Sequence, residues 1–167
     1  MKVCAFTGHR PQKLSFGYNE NDPRCDKLKA LLAKEIERLY LEEGVRHFIS
    51  GMALGVDTYA AEAVLALRER YPDVTLEAAI PCESQAIKWR EEARDRYFDI
   101  IERCDKETMV SRRYTPDCME KRNRYMVDQA DFLIAIWDGT PSGTGNTVRY
   151  AYDLGKKIIT IVPKSFS

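Results

Sequence analysis

One feature constrains the fold of this chain more than any other: a regular alternation of two kinds of segment. Six short apolar runs, "KVCAFTG", "HFIS", "TLEAAIP", "ETMVS", "DFLIAIW" and "KIITIVP", are separated by longer stretches with helical periodicity. Most of the runs are β-branched or aromatic and are bounded by Gly, Pro or Asp, as in strands of a buried parallel sheet. In the first helical stretch, Asp22-Pro23 offers an N-cap and a first-turn proline, and Leu28, Leu32, Ile36 and Leu39 form one stripe. Val56, Ala60, Val64, Leu67 and Tyr71 form a second stripe, and Trp89, Ala93, Tyr97, Ile100 and Cys104 a third. A fourth helix is expected from "YTPD", with Thr115 as cap and Pro116 in the first turn, and a fifth stops at Gly155. Strict alternation predicts an α/β fold, a parallel sheet with helices on both faces and right-handed crossovers. No repeat, low-complexity tract or linker interrupts the pattern, so residues 1–167 read as one domain.

Composition removes several functional classes. Lys plus Arg equals Asp plus Glu at 26 each, which argues against a protein whose affinity comes from wrapping a polyanion. Arg112, Arg113, Lys121, Arg122 and Arg124 still allow a local basic patch. Five scattered cysteines without CxxC spacing oppose a disulfide framework or a structural zinc, and two histidines are too few for a His-rich metal cluster. No apolar run is long enough to span a membrane, and the N-terminus lacks signal-peptide character. The expectations are therefore cytoplasmic residence, no membrane partner and no metal.

In a sheet of this kind, ligands bind outside the carboxyl ends of the strands. Three motifs sit at such ends. "TGHRP" follows the first strand, with Gly8 for close approach and His9 and Arg10 as donors; its bland reading is a tight turn before a surface loop. "SGMALGVD" follows the second, where Ser50, Gly51 and Gly55 flank a turn into a helix whose free amides favour an anion. Asp57 in that helix either caps its first turn or bonds a ribose or amine. The third is "WDGTPSGTGNT", where Asp138 and Gly139 end a buried strand. Ser142, Gly143, Thr144, Gly145, Asn146 and Thr147 then bring small side chains, hydroxyls and amides to a helix N-terminus, suited to a phosphate without a lysine.

Helical spacing adds a fourth group. Met119, Arg122, Asn123 and Met126 fall on one face of "CMEKRNRYMVDQAD", and the methionines make that face core-directed. Arg122 and Asn123 on such a stripe must satisfy carboxylates or backbone at the top of the sheet, or reach a ligand; the reading favours a ligand for Arg122. Trp89 reads as core rather than as a stacking platform.

These motifs together resemble the SLOG superfamily. "SGMALGVD" resembles the SGxAxGxD turn of the DNA-processing protein DprA, and an MxxR helix with a later glycine-rich turn resembles the Lonely Guy phosphoribohydrolases. The size of the chain, "TGHRP", "CMEKRNRYMVD" and "WDGTPSGTGNT" look most like the YpsA-like family of that superfamily. The resemblance implies a Rossmann-like three-layer α/β/α sandwich with a mostly parallel sheet, and a pocket for a nucleotide or nucleotide derivative. By analogy it also implies a possible homodimer.

Against the phosphoribohydrolase pattern PGGxGTxxE, Pro141, Gly143 and Gly145 match, while Ser142 stands for a glycine and Asn146 for the threonine. Arg149 stands where the catalytic glutamate would be, and a cation there opposes an oxocarbenium-like transition state. The sequence therefore reads first as a sensor or regulatory protein binding a small nucleotide-like ligand, with a bound nucleotide or nucleotide derivative as the one cofactor-like molecule the reading allows. The second reading is an N-glycosidic-bond hydrolase, with Asp57, Asp138 or Glu83 as substitute carboxylate. DprA-like binding of single-stranded DNA ranks third.

Overall fold

A computed structural model describes residues 1–165. Its elements alternate as the apolar pattern requires. Strands β1 (Lys2–Gly8), β2 (Val45–Ser50), β3 (Thr75–Ile80), β4 (Lys106–Met109), β5 (Phe132–Ile136) and β6 (Lys157–Ile161) form one sheet. Helices α1 (Pro23–Glu43), α2 (Val56–Arg70), α3 (Glu91–Arg103), α4 (Cys118–Gln129) and α5 (Gly143–Asp153) connect them. The sheet order is β4-β3-β2-β1-β5-β6, and every pairing is parallel. Helices α1, α2 and α3 bury their stripes with Phe6, Phe48, Leu76 and Ile134 on one face. Helices α4 and α5 cover the other through Met126, Val127 and Ala151, against Ala5, Ile49, Ala79 and Leu133. The result is a Rossmann-like α/β/α sandwich.

The order has a consequence for binding. From β1 the chain winds outward through β2, β3 and β4, then returns to lay β5 against the opposite edge of β1. The connections after β1 and β5 therefore diverge to opposite faces and leave a crevice between them, the position where open parallel sheets hold ligands. His9 follows β1, and its amide donates to Ile136 O at the end of β5, 3.4 Å away.

Local chemistry explains most element boundaries. Asp22 caps α1 by accepting from the Arg24 amide at 2.8 Å, with Pro23 at the first helical position. Leu28, Leu32, Ile36 and Leu39 are all buried. Gly155 lies just past α5 with φ +72°, where a left-handed residue ends a helix cheaply.

Three boundaries differ from the sequence reading. Helix α3 begins at Glu91, so Trp89 precedes it, in a series of turns; its ring still packs on the core, edge-on to Tyr97 at 5.3 Å. Helix α4 begins at Cys118, because the Thr115 hydroxyl is taken by the Asp117 carboxylate at 2.8 Å and caps no amide. Strand β4 is an edge strand with largely exposed side chains rather than a buried one. Among the described residues no helix is long and apolar enough to cross a membrane.

Candidate functional site

A cleft of ≈ 390 Å³ opens at the carboxyl edge where β1 and β5 part. "TGHRP" supplies Thr7, Gly8, His9 and Arg10 to its wall, and the turn that follows adds Gln12 and Lys13. "SGMALGVD" supplies Ala53, Leu54 and Asp57; α4 supplies Arg122 and Asn123; α5 supplies Ser142, Gly143 and Thr144. Four segments that are distant in sequence therefore meet at one cavity, whose size falls in the range of small-molecule sites.

The α5 side is organised by its own side chains. Asp138 Oδ1 accepts from the Thr140 hydroxyl at 2.5 Å and from the Thr140 amide at 3.0 Å, closing the turn after β5. Those two bonds, with the His9 imidazole contributing, hold the Asp138 carboxyl down to about 2. Trp137 Nε1 donates to Thr140 O at 2.7 Å, and Ser142 Oγ caps the helix by accepting from the Gly145 amide at 3.0 Å. Gly145 packs beneath this turn; a Cβ there would fall 3.0 Å from Thr140 O and 3.2 Å from the Trp137 ring. The Gly143 and Thr144 amides, by contrast, find no hydrogen-bond partner among the described residues, and both residues line the cleft. Free first-turn amides at a helix N-terminus favour an anion.

Facing them is His9, only 3% exposed. Its Nε2 lies 3.2 Å from Asp138 Oδ1, within ion-pair range, yet makes no hydrogen bond of proper geometry and is shut off from bulk solvent. A buried polar nitrogen left without a partner costs about 1–3 kcal/mol. Arg10 and Lys13 stand exposed at the rim.

The second turn is held by Ser50, which is fully buried and does not line the cleft. Its Oγ donates to Asp57 O at 2.8 Å and accepts from the Met52 amide at 3.2 Å. Met52 has φ +60°, a left-handed conformation uncommon for a side chain of its kind, maintained by complete burial. The Asp57 side chain both caps and lines: Oδ2 accepts from the Ala53 amide at 3.2 Å while the residue forms part of the cleft wall. Burial raises its carboxyl above the usual range, opposed by Arg122, by the Ala53 bond and by Arg10.

Arg122 takes the first of the two roles the sequence left open, bonding backbone at the top of the sheet, and it also lines the cleft. It is 3% exposed; Nη1 donates to Gly51 O and, at 3.4 Å, to Ala79 O, and Nε donates to Asn123 Oδ1 at 2.9 Å. Burial lowers its affinity for the proton and Asp57 opposes that. The guanidinium also forms part of the cleft wall, a fixed cation beneath it.

Several sequence candidates do other work. Gly8 lines the cleft and is also required by packing, since a Cβ would sit 2.7 Å from Val56 Cγ1. Gly51 leaves room for Arg122. Gly55, at φ +86°, caps α2; a Cβ there would fall 3.0 Å from Pro11 Cδ, and the residue lines a separate small pocket of ≈ 100 Å³. Asp138 stands beside His9 and outside the lining, Gly139 is an exposed turn, and Glu83 is exposed, with its amide bonded to Arg112 O. Asn146, Thr147 and Arg149 face a neighbouring groove between α4 and α5. Gln12 and Lys13 open the irregular polar stretch 12–21 that reads in sequence as able to cover a site, whereas Ala53 and Leu54 were not singled out and had only their place inside the second glycine turn as a signal.

The family model described as YspA SLOG family matches residues 4–158. The chain belongs to the YpsA family of the SLOG superfamily. It is 29% identical over 159 residues to the UPF0398 protein of Bacillus thuringiensis, covering 94% of this chain and 84% of that protein. A UPF0398 protein of Halalkalibacterium halodurans is 30% identical over 159 residues, with coverage of 94% and 82%. Among solved structures, DNA processing protein A (DprA) from Streptococcus pneumoniae shares the fold at a TM-score of 0.64 and 17% identity, over 96% of this YpsA-family chain. The Helicobacter pylori DprA, solved for its single-stranded DNA binding mode, gives 0.62 and 21% over 95%. The chain spans half of the first DprA chain and 64% of the second. At these identities the likeness concerns the fold.

Proposed function

We propose that this YpsA-family protein binds a nucleotide or nucleotide-derived ligand in the cleft at the carboxyl ends of β1 and β5, as a sensor or regulatory protein. The observation that carries this reading is that the free amides of Gly143 and Thr144 line the same cleft as His9, whose buried Nε2 makes no hydrogen bond and has only the 3.2 Å contact to Asp138 Oδ1. A phosphate oxygen is the ligand group that suits amides, imidazole and guanidinium at once. Arg122 and Asp57 line the cleft and Arg10 and Lys13 rim its opening; on this reading Asp57 takes a ribose hydroxyl or an exocyclic amine.

The test is to release whatever co-purifies with the native protein, identify it by mass spectrometry, and run a nucleotide panel in thermal unfolding. A true ligand at about a hundred times its dissociation constant adds on the order of 2.7 kcal/mol of stability. A panel that leaves the unfolding temperature unchanged, with no co-purifying nucleotide, removes the reading.

A second reading, an N-glycosidic-bond hydrolase, is favoured by one observation: Asp57 is the carboxylate in the cleft wall, and burial raises its proton affinity toward that of a general acid. Release of free base from nucleoside monophosphates, abolished by Asp57→Asn, would establish it. Single-stranded DNA binding, named for the Helicobacter DprA, requires steeply salt-dependent affinity, and the zero formal charge of this chain supports it poorly.

A further inference from the structure

The groove between α4 and α5 encloses ≈ 590 Å³ and takes no part in the function proposed above. It shares Asn123 and Gly143 with the first cleft, so the two cavities meet at the first turn of α5. Gly143 borders open space there, since a Cβ would meet no atom within 4 Å. Beyond it, Asn146, Arg149, Tyr150 and Asp153 follow one another at i, i+3, i+4 and i+7 along α5, and all four line the groove. Across from them, α4 contributes Glu120 and Arg124, paired at 2.9 Å, with the Arg124 guanidinium 5.2 Å from the Tyr150 ring. Arg149 is exposed, and its side chain makes no ion pair or hydrogen bond among the described residues.

We propose that this groove is a second subsite of the same ligand site, taking a neutral, hydroxyl-bearing group, a sugar or nucleoside, joined through the phosphate held at α5. The proposal rests on the phosphate reading of the first cleft. Charge decides the class of group. Two arginines face two carboxylates, so the groove is balanced, and a phosphate inside the groove, or a continuing nucleic-acid strand, would meet Glu120 and Asp153. Carboxylates accept hydrogen bonds from vicinal hydroxyls, and guanidinium and amide groups donate to hydroxyl and ring oxygens. The ligand class is then a dinucleoside whose diphosphate bridge lies wholly at the α5 N-terminus in the first cleft, with its second, uncharged nucleoside in the groove, rather than a simple monophosphate. Arg149 acquires a role here that the hydrolase pattern denies it: it holds the distal group instead of opposing catalysis in the first cleft.

The experiment compares nucleoside 5′-monophosphates with the corresponding diphosphate-bridged dinucleosides by calorimetry. Both are measured on the wild type, Arg149→Ala and Asp153→Ala, with urea unfolding as the control for folding. The expected result is at least tenfold tighter binding of the bridged probe to the wild type, lost in both variants, while monophosphate affinity stays unchanged. Equal affinities in the wild type, or variants that keep the advantage, overturn the subsite and leave the first cleft standing. Absence of binding by either probe overturns both. Tighter, steeply salt-dependent binding of a single-stranded oligonucleotide also overturns the proposal, in favour of a strand along the two cavities.

Discussion

A Cβ on residue 51 would fall 2.7 Å from both Cζ and Nη1 of Arg122, so Gly51 exists in this chain to admit that guanidinium. The same residue's carbonyl accepts from Nη1 and, at 3.4 Å, from Gln85 Nε2. One backbone unit therefore both makes room for the buried cation and satisfies it. Gly51→Ala forces Arg122 out of register, with an expected cost of about 1–3 kcal/mol in urea unfolding, typical of overpacking. The decisive comparison is with Arg122→Ala, whose truncation removes the obstacle. In that background Gly51→Ala should cost only a few tenths of a kcal/mol, and an undiminished cost would disprove the relationship.

That pair also marks where the sequence stops being legible. The helices with a local cap and a complete stripe, α1 above all, were readable because capping and 3.6-residue periodicity act within a few residues. The starts of α3 and α4 were not. Trp89 continues an apolar stripe geometrically while sitting before the helix, and the choice of Thr115 between an amide and the Asp117 carboxylate is a competition between side chains. At the site, all three glycine turns do lie at the carboxyl edge, as strand-end placement predicts. Their individual glycines were harder to read. Gly8, Gly51, Gly55 and Gly145 face Val56, Arg122, Pro11 and Trp137, and a glycine demanded by a tertiary neighbour looks the same in sequence as one demanded by a ligand. Arg149 shows the same limit, because which side of α5 faces the cleft depends on how the helix is seated between α4 and the sheet.

A buried network away from the cleft gives this protein a predictable response to acid. Glu77 is 2% exposed on the α4 face of β3. Burial pushes its carboxyl up, but hydrogen bonds from His47 at 2.7 Å, Tyr125 at 2.5 Å and Thr108 at 2.8 Å, together with Lys106, prevail and hold it down to about 2. The unfolded carboxyl titrates near 4.5, so the unfolded chain binds the proton first as pH falls. The stabilisation is therefore complete above about pH 5 and is lost progressively toward pH 2, on the order of 3 kcal/mol from this one group. Urea unfolding between pH 7 and pH 3 should show the decline, and Glu77→Gln should flatten it. An equally steep decline in that variant would assign the acid sensitivity elsewhere.

The α5 cap offers a separable test of the anion-binding end. Ser142→Ala removes the acceptor for the Gly145 amide and should cost about 1 kcal/mol of stability, the usual value of an N-cap. Ser142→Asp preserves the acceptor and restores stability, but places a negative charge where the proposed phosphate approaches. Stability and nucleotide affinity should then part company: the aspartate variant unfolds like the wild type and binds worse than the alanine variant. If both variants bind like the wild type, the phosphate does not sit at this helix.

Arg10 and Arg122 should fail in different ways when each is replaced by alanine. Arg122 is buried with its donors committed to Gly51 O, Ala79 O and Asn123 Oδ1, so its loss leaves buried acceptors unpaired. Arg122→Ala is expected to lose about 1–3 kcal/mol of stability as well as ligand affinity. Arg10 is exposed, and among the described residues its side chain makes one hydrogen bond, a weak 3.9 Å contact to the Met119 sulfur. Arg10→Ala should therefore leave stability within about 0.5 kcal/mol of the wild type. If Arg10 closes on a phosphate at the rim, the lost charge-assisted contact is about 1.5–3 kcal/mol, a weakening of roughly tenfold to a hundredfold. Calorimetry of the identified nucleotide on both variants, read beside their urea midpoints, separates a residue that holds the ligand from one that holds the site. Unchanged affinity in Arg10→Ala would move the phosphate away from the first turn after β1.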